Sequence, residues 1–194
     1  MTGGTHVAIA NLSYLVLGLA TQRFGWQMPI DGYHLGVVSL WGVLADLDSP
    51  SSWLGKQIPL LGLLLERRLG RRGWTHTFWA ALIASCPWFL VSTTLAWAAL
   101  VGYSVHLLID AASWPGLRPW RPLHFRVGIV LFRNGSFWDL VIGMSAIVGS
   151  WLCLVQRVGS ATARAIEDPF AWGFVLILVA LLPGWLLSTT IRRI

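Results

Sequence analysis

Residues 75 to 113 read THTFWAALIASCPWFLVSTTLAWAALVGYSVHLLIDAAS. As one helix this run would be roughly 58 Å long, far beyond the hydrocarbon core of a bilayer. Two helices folded back on each other fit instead. The turn is placed at VSTT, residues 91 to 94, where small hydroxyl side chains can satisfy their own backbone. More than a helix count depends on this choice. A continuous helix would hold His76 and His106 roughly 45 Å apart, whereas a hairpin returns both to the same end.

The rest of the chain has the composition of such a protein. Charged residues make up 11% and hydrophobic ones 56%, with a mean hydropathy of +0.66, which excludes an ordinary soluble domain. Thirteen tryptophans suit a membrane interface. The basic balance is nearly all arginine, with no dense basic helix and no zinc-finger spacing, so nucleic acid is not an expected partner. Cys86 and Cys153 lie in apolar runs without a CxxC, and read as packing residues. The first apolar stretch lacks the basic residues that precede a cleaved signal, so it reads as a retained helix.

Candidate spans are residues 7 to 22, 34 to 48, 77 to 92, 94 to 112, 137 to 155 and 171 to 189. The expected fold is all-α: a polytopic membrane bundle of about five to six transmembrane helices, some of them short, in one domain over 1 to 194. Residues 58 to 65, IPLLGLLL, are too short to span and would lie at the interface or re-enter. Six crossings put both termini on one face. Lys56, Arg67, Arg68, Arg71, Arg72, Arg118, Arg121, Arg126, Arg133, Arg192 and Arg193 collect there, against Arg23, Arg157 and Arg164 opposite. That bias assigns the crowded face, and both termini, to the cytoplasm.

On this path His6, Asp46, Asp48, His76, His106, Asp110 and Asp139 all fall at that same end. His106 and Asp110 are four apart and share one helix face. Asp46 and Asp48 would point apart in a regular helix, but Pro50 follows in ADLDSPSS, and a helix end unwinding there aims both inward. Mixed imidazole and carboxylate ligands suit zinc or manganese, and iron, over calcium, with enough groups for one ion or two. Arg72 and Thr75, beside His76, suit an anionic oxygen of a substrate. Each residue also has a plain reading: His6 as a solvated terminal histidine, His76 as an interface residue, Asp48 and Asp139 as helix caps. His106 and Asp110 resist one, since ionisable groups at membrane depth cost about 2.5 kcal/mol or more unless paired. His34 and His124 read as interface histidines, and Glu66 as a surface partner for arginines.

The segments THVAIA, GVLADLDSPSS, RRGWTHTF, GYSVHLLIDAASWPG and FRNGSFWD stand in the order and spacing of the YdjM-like family of inner-membrane proteins. The chain resembles that family from about residue 5 to 139, and a two-helix part follows from 140 to 194. Asp46 and Asp48 hold aspartate positions of the family pattern, while Ala45 stands where proline is common and Ser49 where histidine is common. Arg72, Gly73, Thr75 and His76 match the third motif, with Arg71 in place of a histidine and Thr77 in place of serine. Gly102, His106 and Asp110 meet the fourth in full, and Asp139 stands where glutamate is usual.

The resemblance implies a metal-dependent hydrolase of the bacterial inner membrane, and it names no substrate. In such a site Asp48 or Asp110 would take a proton and Arg72 would stabilise developing charge. Because the second, third and fourth helices are short, the cluster would lie within reach of a lipid head group, so a phosphoester or lipid-like molecule is the expected substrate. The alternatives are a metal or proton transporter, and a stress-induced membrane protein whose metal only staples helix ends. Transport requires polar residues across the bilayer, and mid-depth positions of the first, fifth and sixth spans offer almost none.

Overall fold

The computed structural model describes residues 2–70, 72–112, 117–120, 122, 128 and 135–161, with side chains only to residue 155. Outside these lie the expected span at 171 to 189, most of 113 to 136, Arg71, His124 and Arg121, Arg126, Arg133, Arg164, Arg192 and Arg193. Seven helices are described: α1 Gly3–Gln22, α2 Gly32–Leu44, α3 Trp53–Gln57, α4 Pro59–Leu69, α5 Phe78–Ser85, α6 Thr93–Ala111 and α7 Phe137–Ala161. Short 3-10 turns at Ala45–Asp48, Trp74–His76 and Cys86–Leu90 punctuate them.

Local chemistry accounts for where these helices start. The Asp31 carboxylate accepts the His34 N–H at 2.9 Å to cap α2, and the Thr77 hydroxyl accepts the Ala80 N–H at 3.1 Å to cap α5. The hairpin within residues 75 to 113 is present, but the α-helix gives way before VSTT. Pro87 has no N–H to donate and clashes with the preceding turn, so the chain tightens into a 3-10 turn at Cys86 and breaks at Val91 and Ser92.

Among the described residues three helices are long and apolar enough to cross a membrane: Gly3–Gln22, Thr93–Ala111 and Phe137–Val155. The spans expected at 34 to 48 and 77 to 92 correspond to α2 with its 3-10 extension and to the apolar run Phe78–Leu90, both shorter than the three long helices. Large apolar side chains on the long helices, among them Val16, Leu108 and Trp151, face outward. Apolar area turned outward on this scale belongs against lipid.

The interior is built on small residues. Ala10, Tyr14, Val38, Ala98 and Ala99 form one core between α1, α2 and α6; Ala45, Ala81, Tyr103 and Leu107 form a second nearer the site. α6 crosses α2 so closely at Gly102 that an added Cβ would lie 2.5 Å from the Val38 carbonyl oxygen. Close backbone approach through small residues is the usual packing mode where lipid leaves no hydrophobic drive between helices. α7 runs parallel to α1, with Gly143 against Thr5 and Gly149 against Leu12.

Gly102→Ala should therefore lower the thermal midpoint in detergent, by an overpacking cost of about 1–3 kcal/mol. Gly36→Ala, on the exposed face of α2 with nothing within 4 Å, should leave the midpoint unchanged or raise it slightly.

Candidate metal centre

Four elements converge at one end of the bundle. The 3-10 turn Ala45–Asp48 brings Asp46 and Asp48, the turn Trp74–His76 brings His76, the last turns of α6 bring His106 and Asp110, and the first turn of α1 brings His6. One ligand atom each from Asp46, His76, His106 and Asp110 lies within 4.8 Å of the other three. Zinc–nitrogen and zinc–oxygen bonds are about 2.0–2.2 Å, so a small inward adjustment would close these four donors on one ion.

The orientation of the imidazoles is as informative as their proximity. His106 Nδ1 lies 2.8 Å from the Gly42 carbonyl and His6 Nδ1 lies 3.0 Å from the Thr2 carbonyl. Carbonyls only accept, so both Nδ1 atoms carry the proton. His76 Nδ1 faces Asp48 Oδ2 at 3.3 Å, and Asp48 also accepts the Thr75 hydroxyl. All three Nε2 atoms are thereby turned inward: His76 Nε2 is 3.4 Å from His106 Nε2 and 3.3 Å from Asp110 Oδ2, and His6 Nε2 is 3.3 Å from Asp110 Oδ1. Lone pairs and carboxylate oxygens set this close repel one another unless a cation stands among them. A carboxylate or carbonyl behind each ring is the arrangement that fixes metal-binding histidines.

Charge supports the same fit. Asp46, Asp48 and Asp110 supply three negative charges and Arg72, 3.3 Å from Asp110 Oδ2, supplies one positive. Two negative charges are left, which a divalent ion would balance. Burial alone would lower His76, but hydrogen bonds from its ring to Asp110 and Asp48 outweigh it and push His76 up to about 9. A proton there serves in a metal's stead.

His6, His76, His106, Asp48 and Asp110 are at most 1% exposed, while Asp46 is 21% exposed and Arg72 23%. The site therefore opens past Asp46 and Arg72. Arg72 has φ 50°, a left-handed conformation that disfavours a branched side chain, and the turn around it is crowded. A Cβ on Gly73 would lie 1.9 Å from the Leu69 carbonyl oxygen. Strain of this kind, about 1–3 kcal/mol, persists where surrounding structure imposes it.

Of the residues singled out in the sequence, Asp46, His76, His106 and Asp110 form the group of four. His6 touches it through Asp110 and stacks on His106, with ring centroids 4.3 Å apart. Asp48 and Thr75 stand behind His76, on the side away from Nε2. Asp139 lies outside the four: its Oδ2 accepts the Thr2 N–H at 3.1 Å and the Gly135 N–H at 2.8 Å, tying α7 to the start of α1. His34 is at the opposite end of α2. It is buried, with Nδ1 2.8 Å from Asp31 and Nε2 3.0 Å from the Thr94 hydroxyl.

Comparison with known proteins gives a family. A family model described as YdjM inner membrane protein matches residues 1–191. The chain is 33% identical over 124 residues to the inner membrane protein YdjM of Escherichia coli (strain K12), covering 57% of this chain and 61% of that protein. It is equally similar to the Shigella flexneri protein of the same name, so the match spans less than two thirds of both relatives. An uncharacterized protein of Bacillus subtilis (strain 168), YvsG, is 26% identical over 150 residues, 73% of this chain and 87% of that one. No solved structure matches the chain.

Two supports were missed in the sequence. The Gly42 carbonyl gives no residue-type signal. Tyr103 does give one: it sits three residues before His106, on the same face of α6, and its hydroxyl donates to the Thr75 carbonyl, bracing the turn that carries His76. Tyr103→Phe should cost about 1 kcal/mol in a thermal melt, and Thr75→Ser, which keeps both the carbonyl and the hydroxyl, should cost less.

Proposed function

Since the chain belongs to the YdjM family of inner membrane proteins, we propose that it is an integral-membrane, metal-dependent hydrolase acting on a phosphoester or lipid-like substrate. One observation carries the reading: four ligand atoms lie within 4.8 Å of one another, two of them on imidazoles whose far nitrogens are already held. Asp46, His76, His106 and Asp110 would hold a single divalent ion, zinc or manganese. The other side of Asp110 is taken by His6 and the Arg72 guanidinium, which disfavours a second ion.

A bound ion there supplies Lewis acidity and a water acidic enough to ionise near neutrality. The chain's own groups do the rest. Arg72, on the open side, pairs with an anionic oxygen of the substrate and stabilises the charge that builds on it. The proton would pass to the pair formed by Asp110 Oδ1 and His6 Nε2, the ring nitrogen left without a proton by the Thr2 hydrogen bond. Asp48, wholly buried against His76 and Thr75, holds the His76 ring and keeps its Nε2 forward. The surplus of arginine and lysine at this end, Lys56, Arg67, Arg68 and Arg72 against Arg23 at the other end of α1, supports a cytoplasmic opening and a cytoplasmic start of α1.

A transport reading draws on one finding. Mid-depth in the bundle, Asn11 of α1 donates to the Ser39 hydroxyl of α2 at 2.8 Å, and its Oδ1 has no hydrogen-bond partner among the described residues. The middle is thus less bare than its sequence suggests.

Elemental analysis of the purified protein should give about one divalent ion per chain, lost in His106→Ala and Asp110→Ala. Asp48→Asn should keep the stoichiometry at saturating metal but bind 10–100-fold more weakly. A well-folded, metal-free wild type after reloading would end the hydrolase proposal. With metal established, Arg72→Gln should abolish phosphoester-lipid hydrolysis without loss of the ion. Metal flux into proteoliposomes that falls in Asn11→Ala would favour transport instead.

A further inference from the structure

α4 is amphipathic in the wrong sense for a soluble protein. Successive residues of a helix are about 100° apart, so Gly62, Leu65, Glu66 and Leu69 share one side and Leu60, Leu61, Leu63, Leu64, Arg67 and Arg68 the other. The first side faces the molecule: Gly62 is buried, and Leu65, Glu66 and Leu69 are half-buried. Its anchor is close, since a Cβ on Gly62 would lie 3.2 Å from the Leu47 carbonyl oxygen and 3.3 Å from Pro50 Cα. The second side carries the leucines outward. Leu60 is 82% exposed and Leu64 51%, and nothing among the described residues covers them.

The outward face is also graded along its length. Leucines occupy its first two turns, and Arg67 and Arg68 the last. From Leu60 to Arg68 the axis rises roughly 12 Å, a distance that runs from acyl chain to phosphate in one leaflet and is too short to span the bilayer. A helix with an apolar face and one basic end, in a chain with spans on either side of it, fits a lipid surface better than a protein partner.

We propose that α4 is a membrane-seated arm: its leucine face enters the leaflet at the metal-centre end, and Arg67 and Arg68 bind the phosphates of anionic lipid. Because Gly62 rests on the 3-10 turn that carries Asp46 and Asp48, the arm sets the depth of that turn. It seats the open side of the site, past Asp46 and Arg72, at headgroup level. The arm itself stands without the metal reading, so the two fail separately.

The test uses the full chain with Cys86→Ser and Cys153→Ala, spin-labelled at Leu64→Cys, in vesicles of phosphatidylglycerol and phosphatidylcholine. Oxygen should relax the label more effectively than a water-soluble nickel chelate. A label reached mainly by the chelate would put the arm in water, and one reached by neither would mean that protein covers the face; either overturns the proposal. In a companion measurement, Arg67→Gln with Arg68→Gln should reduce the preference for spin-labelled phosphatidylglycerol over phosphatidylcholine, by roughly fivefold per arginine. An unchanged preference overturns the headgroup assignment.

Discussion

The contact of α6 with α2 at Gly102 and Val38 is the constraint on which the site depends. With backbones this close, His106, one turn beyond Gly102, reaches the Gly42 carbonyl on the neighbouring helix. A side chain at position 102 would hold the helices apart and leave the His106 N–H without its acceptor. The small residues of α1 and α2 act in the same direction: a Cβ on Gly42 would lie 3.0 Å from the Ala10 Cβ, and that closeness brings His6 to Asp110. Packing of apolar, small residues thus fixes the position of every charged one.

Electrostatics then selects what the assembled groups can tolerate. Three buried or half-buried carboxylates at the end of a membrane bundle are unfavourable unless balanced. Arg72 offsets one, from a backbone conformation that the crowded turn enforces. The remainder asks for a proton on His76 or a divalent cation among the Nε2 atoms. Every ring has its Nδ1 held from behind, so the site is organised before any ion arrives. That preorganisation separates it from a chance gathering of acidic groups.

Much of this was legible in the sequence because ionisable residues at membrane depth are few. Once the run from Thr75 to Ser113 is folded into a hairpin, His76 and His106 have to meet. Asp110 follows from its four-residue spacing to His106, and Asp46 from the helix end that Pro50 unwinds. Other features depend on geometry that no residue type announces. Pro87, not the hydroxyl residues alone, ends the first half of the hairpin. The pairing of His34 with Asp31 is visible only when α2 is known to begin between them. The leucines of α4 were readable as apolar, but which way they face is decided by Gly62 pressing on Leu47 and Pro50.

The D-x-D spacing of Asp46 and Asp48 is more than a repeat of one function. In a 3-10 turn, residues two apart stand about 120° from each other, closer than the roughly 160° of an α-helix. This lets the pair grip opposite edges of one ring: Asp46 Oδ1 is 4.0 Å from His76 Nε2, and Asp48 Oδ2 is 3.3 Å from Nδ1. The turn works as a caliper whose jaws share a single backbone. Any rotation of it opens one jaw as it closes the other, so the front and back of the imidazole cannot be adjusted independently. An insertion or deletion inside Ala45–Asp48 removes ligand and support together, which makes the turn's length as much a part of the site as the residues it carries.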